Sequence, residues 1–326
     1  MKYRNFSNTG WKVSEIGLGC WAIGGSYTDV TEKTAFEILN KAVEKGVNFF
    51  DTSDAYGNGR SEKIIGKFLK YNKNKLFVAT KVGTLLKPHL PELYKENIFE
   101  KFIDNSLSRL NLECIDLLQI HCPPIQMCSN ENLYNIFENI RKKGKVKYFG
   151  ISVFSLKEAL EAIKFPNVKS VQLVFNVFRQ KPAEFFLKEA KKKNIAIIAR
   201  GPLANGLLTG TIDKNSVFHS NDHRNFNAKG QRFDIGDTFS GVGLDKGLKV
   251  VEKLKKILPK NYSLTDVSIK WILSHKEVTV VIPGATNRLQ IIMNTAASKK
   301  KNIKKLIPKI NKIYNQLIKP QVHNRW

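Results

Sequence analysis

The sequence is poor in the features that mark secreted, membrane-spanning or metal-clipped proteins. It has four cysteines in 326 residues, Cys20, Cys114, Cys122 and Cys128. They form neither a Cys-x-x-Cys pair nor a paired framework, so free thiols in a reducing cytoplasm are expected. Cys122 and Cys128 share a loop and would crosslink only under oxidation. No apolar run approaches the roughly 20 residues that span a bilayer, and the opening MKYRNFSNTGWKV lacks the apolar centre of a secretory leader. A Gly-x-Gly-x-x-Gly fingerprint between a first strand and its helix is also missing. Gly17-Leu18-Gly19-Cys20-Trp21 is glycine-rich, but the helix comes later, which argues against a dinucleotide-binding Rossmann unit. His219 and His223 stand four apart in a stretch with no helical pattern and no obvious third ligand, so no metal is expected there.

Acidic residues are scarce as well. Asp and Glu number 28 against 54 Lys and Arg, a formal charge of +26. Such a surplus can draw nucleic acid, a membrane surface or anionic substrates. Most of the basic residues are lysines spread over helix faces, such as Lys188, Lys191, Lys192 and Lys193. The densest run, Lys299-Lys300-Lys301 with Lys304 and Lys305, has no aromatic residues interleaved. It reads as solvated surface, with no nucleic-acid and no membrane partner.

What the chain does have is an alternation of short apolar strands and amphipathic stretches. The strand cores are Ile16–Leu18, Val47–Phe50, Leu76–Thr80, Ile115–Ile120, Val146–Ile151, Ser170–Val174, Ile195–Ala199 and Val278–Ile282. Eight such strands with helices between them predict one α/β domain over residues 1–326, a (β/α)8 TIM barrel. Helices are expected near 61–70, 96–110, 131–143, 155–164, 183–193, 265–274 and 288–297, and the first crossover helix is expected to begin at Thr34 under a Thr31 cap. Residues 2–14 read as a β-hairpin turning at Asn8-Thr9-Gly10 and capping one end of the barrel. Two extra helices are expected, at 244–258, ended by Pro259, and at about 303–317. Between Pro202 and Gly243 runs a long polar loop after the seventh strand, the place for a lid over the barrel mouth. Oligomeric state is read as monomer or small homo-oligomer.

The stretch NFFDTSDAYGNGRSEKIIG, residues 48–66, carries the chemistry. Asp51 closes a buried strand, and Tyr56 follows five positions later in a Gly- and Asn-rich loop. Lys81 and His121 likewise end the apolar strands LFVATK and IDLLQIH. Ionisable residues at successive strand ends mark the face where an α/β barrel keeps its chemistry. With this order and spacing, and with Gly17-Leu18-Gly19-Cys20-Trp21 and Ile282-Pro283-Gly284-Ala285-Thr286 at either end, the sequence resembles the aldo-keto reductase family.

The resemblance implies an oxidoreductase that interconverts an aldehyde or ketone and its alcohol using NADPH, with NADH possible. It matches Asp51, Tyr56, Lys81 and His121 to the family's tetrad, with Tyr56 as general acid. A phenol's ordinary pKa of about 10 is high for that task. A neighbouring Lys81 ammonium is expected to lower it, with Asp51 holding Lys81 and His121 orienting the carbonyl. Trp21 is expected to line the substrate pocket with Tyr56 and His121. Cofactor contacts are expected from Gly19, Cys20, Trp21, Asp51, Ser152, Gln172, Arg200, Gly201, Pro202 and Leu203 at the nicotinamide side. At the adenosine side they are expected from Gly284, Thr286, Asn287, Arg288, Gln290 and Asn294. Arg200 stands where many relatives carry an aromatic residue, Gly284 where some carry Lys, and Met293 where an acidic residue is common. A 2′-phosphate contact therefore falls to Arg288 and Asn287, at the start of a helix. An alternative reading is a cofactor-binding, redox-sensing or regulatory subunit with little turnover. The sequence leaves the substrate open among sugars, nucleotide sugars, inositol derivatives and simple aldehydes.

Overall fold

The computed structural model describes residues 1–326. Strands β1 (Tyr3–Phe6) and β2 (Trp11–Ser14) form an antiparallel hairpin. Eight parallel strands follow: β3 (Leu18–Gly19), β4 (Phe49–Asp51), β5 (Phe77–Val82), β6 (Ile115–His121), β7 (Val146–Ser152), β8 (Val168–Val174), β9 (Ala196–Arg200) and β10 (Val278–Val281). They pair in chain order from β3 to β10. The sheet closes on itself by isolated parallel bridges, Ile16 to Val281 and Gly19 to Gly284. At this closure Gly17 N donates to Val281 O at 2.8 Å and Gly19 N to Pro283 O at 3.0 Å. The architecture is the expected (β/α)8 barrel.

The strands' two-residue period sorts their side chains. Phe49, Phe77, Ala79, Leu117, Ala196, Ile198, Val280 and Ile282 form a buried cluster inside the barrel, together with Phe6 and Val13 of the hairpin. The Phe6 ring stacks on Phe49 at 5.6 Å between centroids and Trp11 on Phe77 at 4.7 Å, so the hairpin plugs the N-terminal end. Continuing the same alternation puts Asp51 above Phe49, Lys81 above Ala79, Gln119 and His121 above Leu117, and Arg200 above Ile198.

Helices cover the outside. They are α1 (Glu32–Glu44), α2 (Arg60–Tyr71), α3 (Glu96–Leu110), α4 (Ile125–Cys128), α5 (Glu131–Lys142), α6 (Leu156–Ala162), α7 (Phe186–Lys192), α8 (His223–Phe226), α9 (Leu244–Lys255), α10 (Leu264–Leu273), α11 (Arg288–Lys299), α12 (Ile307–Leu317) and α13 (Lys319–Val322). α1 begins at Glu32, two residues ahead of expectation. Thr31 does cap it, its hydroxyl accepting from the Thr34 amide at 3.1 Å, but as a cap it leaves Glu32 already inside the first turn. The extra helices α9 and α12 are present. The C-terminal α13 and the single-turn helices α4 and α8 were not expected, because four residues carry too little periodicity to read. No helix is long and apolar enough to cross a membrane, and all four cysteines are free.

The long loop after β9 is more structured than its polar composition suggests. It holds α8 and 3-10 turns at Ala204–Thr209, Ile235–Asp237 and Phe239–Gly241. Trp326 pins its far end, donating from Nε1 to Asp234 Oδ1 at 3.0 Å. In contrast, the stretch around Val217 stands out in solvent, with Val217 itself 94% exposed.

Candidate active site

The sequence around Asp51 makes a tight corner that only glycine permits. Gly57 has φ 62°, and a Cβ on it would lie 2.2 Å from the Gly24 carbonyl oxygen. The loops after β3 and β4 therefore pack backbone against backbone, and Tyr56 is held over the barrel mouth beside Trp21, their ring centroids 6.2 Å apart.

Below Tyr56, Lys81 is fully buried. Its Nζ donates to Asp51 Oδ1 at 2.5 Å, to the Thr52 carbonyl at 2.7 Å and to the Tyr56 hydroxyl at 3.1 Å. Asp51 Oδ2 accepts from Gln172 Nε2 at 2.7 Å and Gln119 Nε2 at 2.9 Å. Both oxygens of this buried carboxylate thus have partners, which a buried ion pair requires to offset its desolvation. Burial works against the Lys81 charge, but Asp51 and Tyr56 outweigh it and hold the ammonium above its ordinary pKa.

For Tyr56 the balance differs from expectation. Burial raises its pKa by more than Lys81 lowers it, so the hydroxyl is held protonated above the ordinary phenol range. The expected net lowering fails because the phenol is enclosed and Asp51, beside the same ammonium, offsets part of the Lys81 field. His121 is pushed well below its ordinary value, first by burial and then by the charges of Lys81, Arg200 and His89, so its imidazole is neutral. Its Nδ1 lies 3.1 Å from Thr84 Oγ1 and 3.2 Å from Ser53 Oγ.

Asp51, Tyr56 and His121 floor a cleft of about 790 Å³, with Lys81 buried beneath them. It brings together Asp51, Tyr56 and His121 with Gly19, Cys20, Trp21, Ser152, Gln172, Arg200, Gly201, Pro202, Leu203, Gly284, Thr286, Gln290 and Asn294. Asn287 and Arg288 stand outside its wall: Asn287 caps α11, accepting from the Gln290 amide at 3.1 Å, and Arg288 is exposed on the first turn. Gln290 accepts from the Thr286 amide at 2.8 Å, and Asn294 donates to the Gly284 carbonyl at 3.2 Å. Gln172 Oε1 and Arg200 Nε are buried without a partner.

Asp237 and Phe233 line the cleft, and Gln119 lies beneath it; the sequence did not single them out. Asp237 comes down from the long loop to pair with Arg200. The His223 ring stacks on Trp21 at 4.7 Å and its Nε2 meets Asn205 at 3.2 Å. Phe233 reaches Trp21 from the same loop, at 6.2 Å between centroids. Gln119 was the legible omission: a polar residue in the middle of the apolar stretch Leu117-Leu118-Gln119-Ile120, two before His121 and so on the same face.

Comparison with known proteins bears on family and fold. A family model described as Aldo/keto reductase family matches residues 15–315. The chain is 31% identical over 294 residues to the aldo-keto reductase YhdN of Bacillus subtilis, covering 87% of this chain and 85% of that one. It is 30% identical over 293 residues to yakc of Schizosaccharomyces pombe, named an NADP(+) aldo-keto reductase, covering 86% and 82%. It is 29% identical over 318 residues to a probable voltage-gated potassium channel subunit beta of Oryza sativa, covering 91% of each. Among solved structures, the glycerol dehydrogenase AKR11B4 of Gluconobacter oxydans shares the fold with a TM-score of 0.80 at 24% identity, over 97% and 96% of the two chains. The matched span takes in every strand of the barrel, and the chain belongs to the aldo/keto reductase family, oxidoreductases that use nicotinamide cofactors.

Proposed function

We propose that the chain reduces an aldehyde or ketone to its alcohol with NADPH, Tyr56 acting as general acid. The observation that carries this reading is the Lys81 ammonium, held between Asp51 and the Tyr56 hydroxyl just beneath the floor of the cleft. A nicotinamide cofactor, when bound, would supply the hydride. The residues present fit such a group: Gln172 offers a buried carbonyl oxygen with no protein partner, and Gly19 and Gly284 line the cleft without side chains. Ser152, Gln172 and the segment Arg200-Gly201-Pro202-Leu203 would hold its nicotinamide end, and Thr286, Gln290 and Asn294 its adenosine end. The name of the yeast relative supports the NADP form.

The chain's own residues do the rest. A hydroxyl kept protonated by burial is a proton donor, so Tyr56 hands its proton to the substrate oxygen as charge gathers there. Lys81 then stabilises the phenolate left behind, and Asp51, fixed by Gln119 and Gln172, keeps Lys81 charged and in place. His121, being neutral, donates one hydrogen bond to the substrate oxygen and fixes the carbonyl's direction. Trp21 walls the substrate end. The channel-subunit relative favours a second reading, a regulatory protein that retains cofactor without turnover.

The test is cofactor oxidation over a panel of sugars, nucleotide sugars and small aldehydes, with wild type beside Tyr56→Phe. Turnover is expected in wild type, and a kcat lower by about 10²–10⁴-fold in the variant, the usual worth of a positioned acid. NADPH affinity is expected to stay the same. Near-wild-type kcat in Tyr56→Phe defeats the assignment, and tight NADPH binding with no turnover on any carbonyl selects the regulatory reading.

A further inference from the structure

We propose that Thr84 is a positioning residue for His121: its hydroxyl donates to Nδ1 and so keeps the imidazole N–H on Nε2, the nitrogen left for the substrate oxygen. The proposal rests on the reading of His121 as the donor to that oxygen. A neutral imidazole has one N–H, and the partner of one nitrogen decides what the other can do. Nε2 makes no hydrogen bond within the protein, whereas Nδ1 faces two hydroxyls, Thr84 Oγ1 at 3.1 Å and Ser53 Oγ at 3.2 Å.

The two hydroxyls are not equivalent. Ser53 has a single proton and two other acceptors for it, Asp54 Oδ1 at 3.1 Å and the Lys81 carbonyl at 3.5 Å. Its oxygen is also occupied, accepting from the Ala55 amide at 3.1 Å. Asp54 Oδ1 is the nearest of the acceptors around Ser53 and accepts whether or not the unpartnered Oδ2 carries a proton, so the Ser53 proton goes to Asp54. The Thr84 hydroxyl has no partner in the protein except His121, and its proton is free for Nδ1. The backbone puts it there by a glycine: Gly83, at the end of β5, has φ 133°, and a Cβ on it would lie 3.4 Å from the His121 carbonyl oxygen. The sequence Lys81-Val82-Gly83-Thr84 therefore turns the chain against His121 immediately after placing Lys81 in the barrel.

Without the Thr84 hydroxyl, Nδ1 is left with Ser53 alone. With the Ser53 proton committed to Asp54, Nδ1 becomes the donor and Nε2 turns a lone pair to the substrate oxygen. One residue then decides whether His121 attracts or repels a carbonyl.

The experiment pairs kinetics with nitrogen-15 spectra of ring-labelled histidine, the His121 signals being assigned by their loss in His121→Asn. Wild type and Thr84→Ser are expected to carry the proton on Nε2, and Thr84→Val to carry it on Nδ1. Losing one donor aimed at a reacting oxygen lowers kcat by about 10²–10³-fold, the loss expected in Thr84→Val, with Thr84→Ser restoring most of it. Ser53→Ala is expected to leave the proton on Nε2. The idea is overturned if wild-type His121 already carries its proton on Nδ1, if Thr84→Val keeps it on Nε2, or if Ser53→Ala rather than Thr84→Val moves it. Should wild type turn over no carbonyl at all, the functional reading fails on that ground, and the ring spectra still decide Thr84. If Thr84→Val does not fold, the wild-type, Thr84→Ser and Ser53→Ala spectra decide the matter alone.

Discussion

The carboxylate of Asp237, carried on the long loop after β9, grips the guanidinium of Arg200 at the end of that strand. Arg200 also donates from Nη2 to the Val153 carbonyl at 3.3 Å, and burial alone would work against its charge. Asp237 overcomes that cost and holds the guanidinium above its ordinary pKa. The loop and the cleft are thereby one unit: what orders residues 235–237 also orients Arg200.

Asp237→Asn keeps the shape of the side chain and removes the charge. Breaking one charged hydrogen bond costs about 1–3 kcal/mol, which urea unfolding will register. The loop should also be cut faster by protease near Val217, the part already exposed, and saturating NADPH should slow cleavage in wild type more than in the variant. Unchanged stability and unchanged cleavage would show that the ion pair ties nothing down.

Arg288 bears on cofactor choice. It sits on the first turn of α11, outside the cleft wall but next to Thr286 and Gln290 within it. Backbone N–H groups at a helix start attract a phosphate, and a guanidinium adds a charged contact. Arg288→Ala is expected to weaken kcat/KM with NADPH by about 1.5–3 kcal/mol and to leave NADH nearly unchanged. Equal losses with both cofactors, or a wild type that prefers NADH, would remove Arg288 from the 2′-phosphate.

Asp54 predicts a pH dependence of stability. It is 1% exposed, its Oδ2 has no partner, and burial, helped by neighbouring Glu62, pushes its carboxyl up to about 7. In the unfolded chain the value returns to about 3.9. Between these values the folded state holds a proton that the unfolded state has lost. Asp54's contribution is therefore complete below about pH 4 and is lost as the pH rises toward 7, with an upper bound of roughly 4 kcal/mol. Asp54→Asn cannot titrate. Relative to wild type it should gain stability as pH rises from 4.5 to 8, and urea midpoints with constant m-values would measure this. A difference between the two proteins that stays flat with pH refutes the shifted carboxyl.

How much of this was legible beforehand divides along physical lines. Strand ends were legible because burial leaves few polar residues in a strand, and those it leaves stand out: Asp51, Lys81 and His121 each close an apolar run. Period-two alternation then fixes which of them point inward. Thr84, Ser53 and Asp237 were not legible, because hydroxyls and carboxylates in loops are the commonest surface residues. Only folding brings Thr84 against His121 and Asp237 against Arg200. The His219/His223 spacing carried no metal expectation, since an i, i+4 pair means a shared face only on a helix, and His219 precedes α8 while His223 begins it. The raised pKa of Tyr56 was hidden for a related reason: a sequence shows that a lysine is near, but not how much water the fold removes.

The barrel's closure has a consequence of its own. Between β6 and β7 the register runs almost unbroken from Ile115–Val146 to His121–Ser152, whereas the first and last strands meet only through isolated bridges. Local opening begins where few backbone bonds must break together, so this join is where amide exchange should breathe first, at Gly17, Gly19 and Val281. Gly19 and Gly284, which face each other across it, both line the cleft. A molecule lying over the two of them rivets the join from above. Mass action then adds about 2.7 kcal/mol at a hundredfold excess over Kd, and slowed exchange at those three amides would mark where that stabilisation enters the structure.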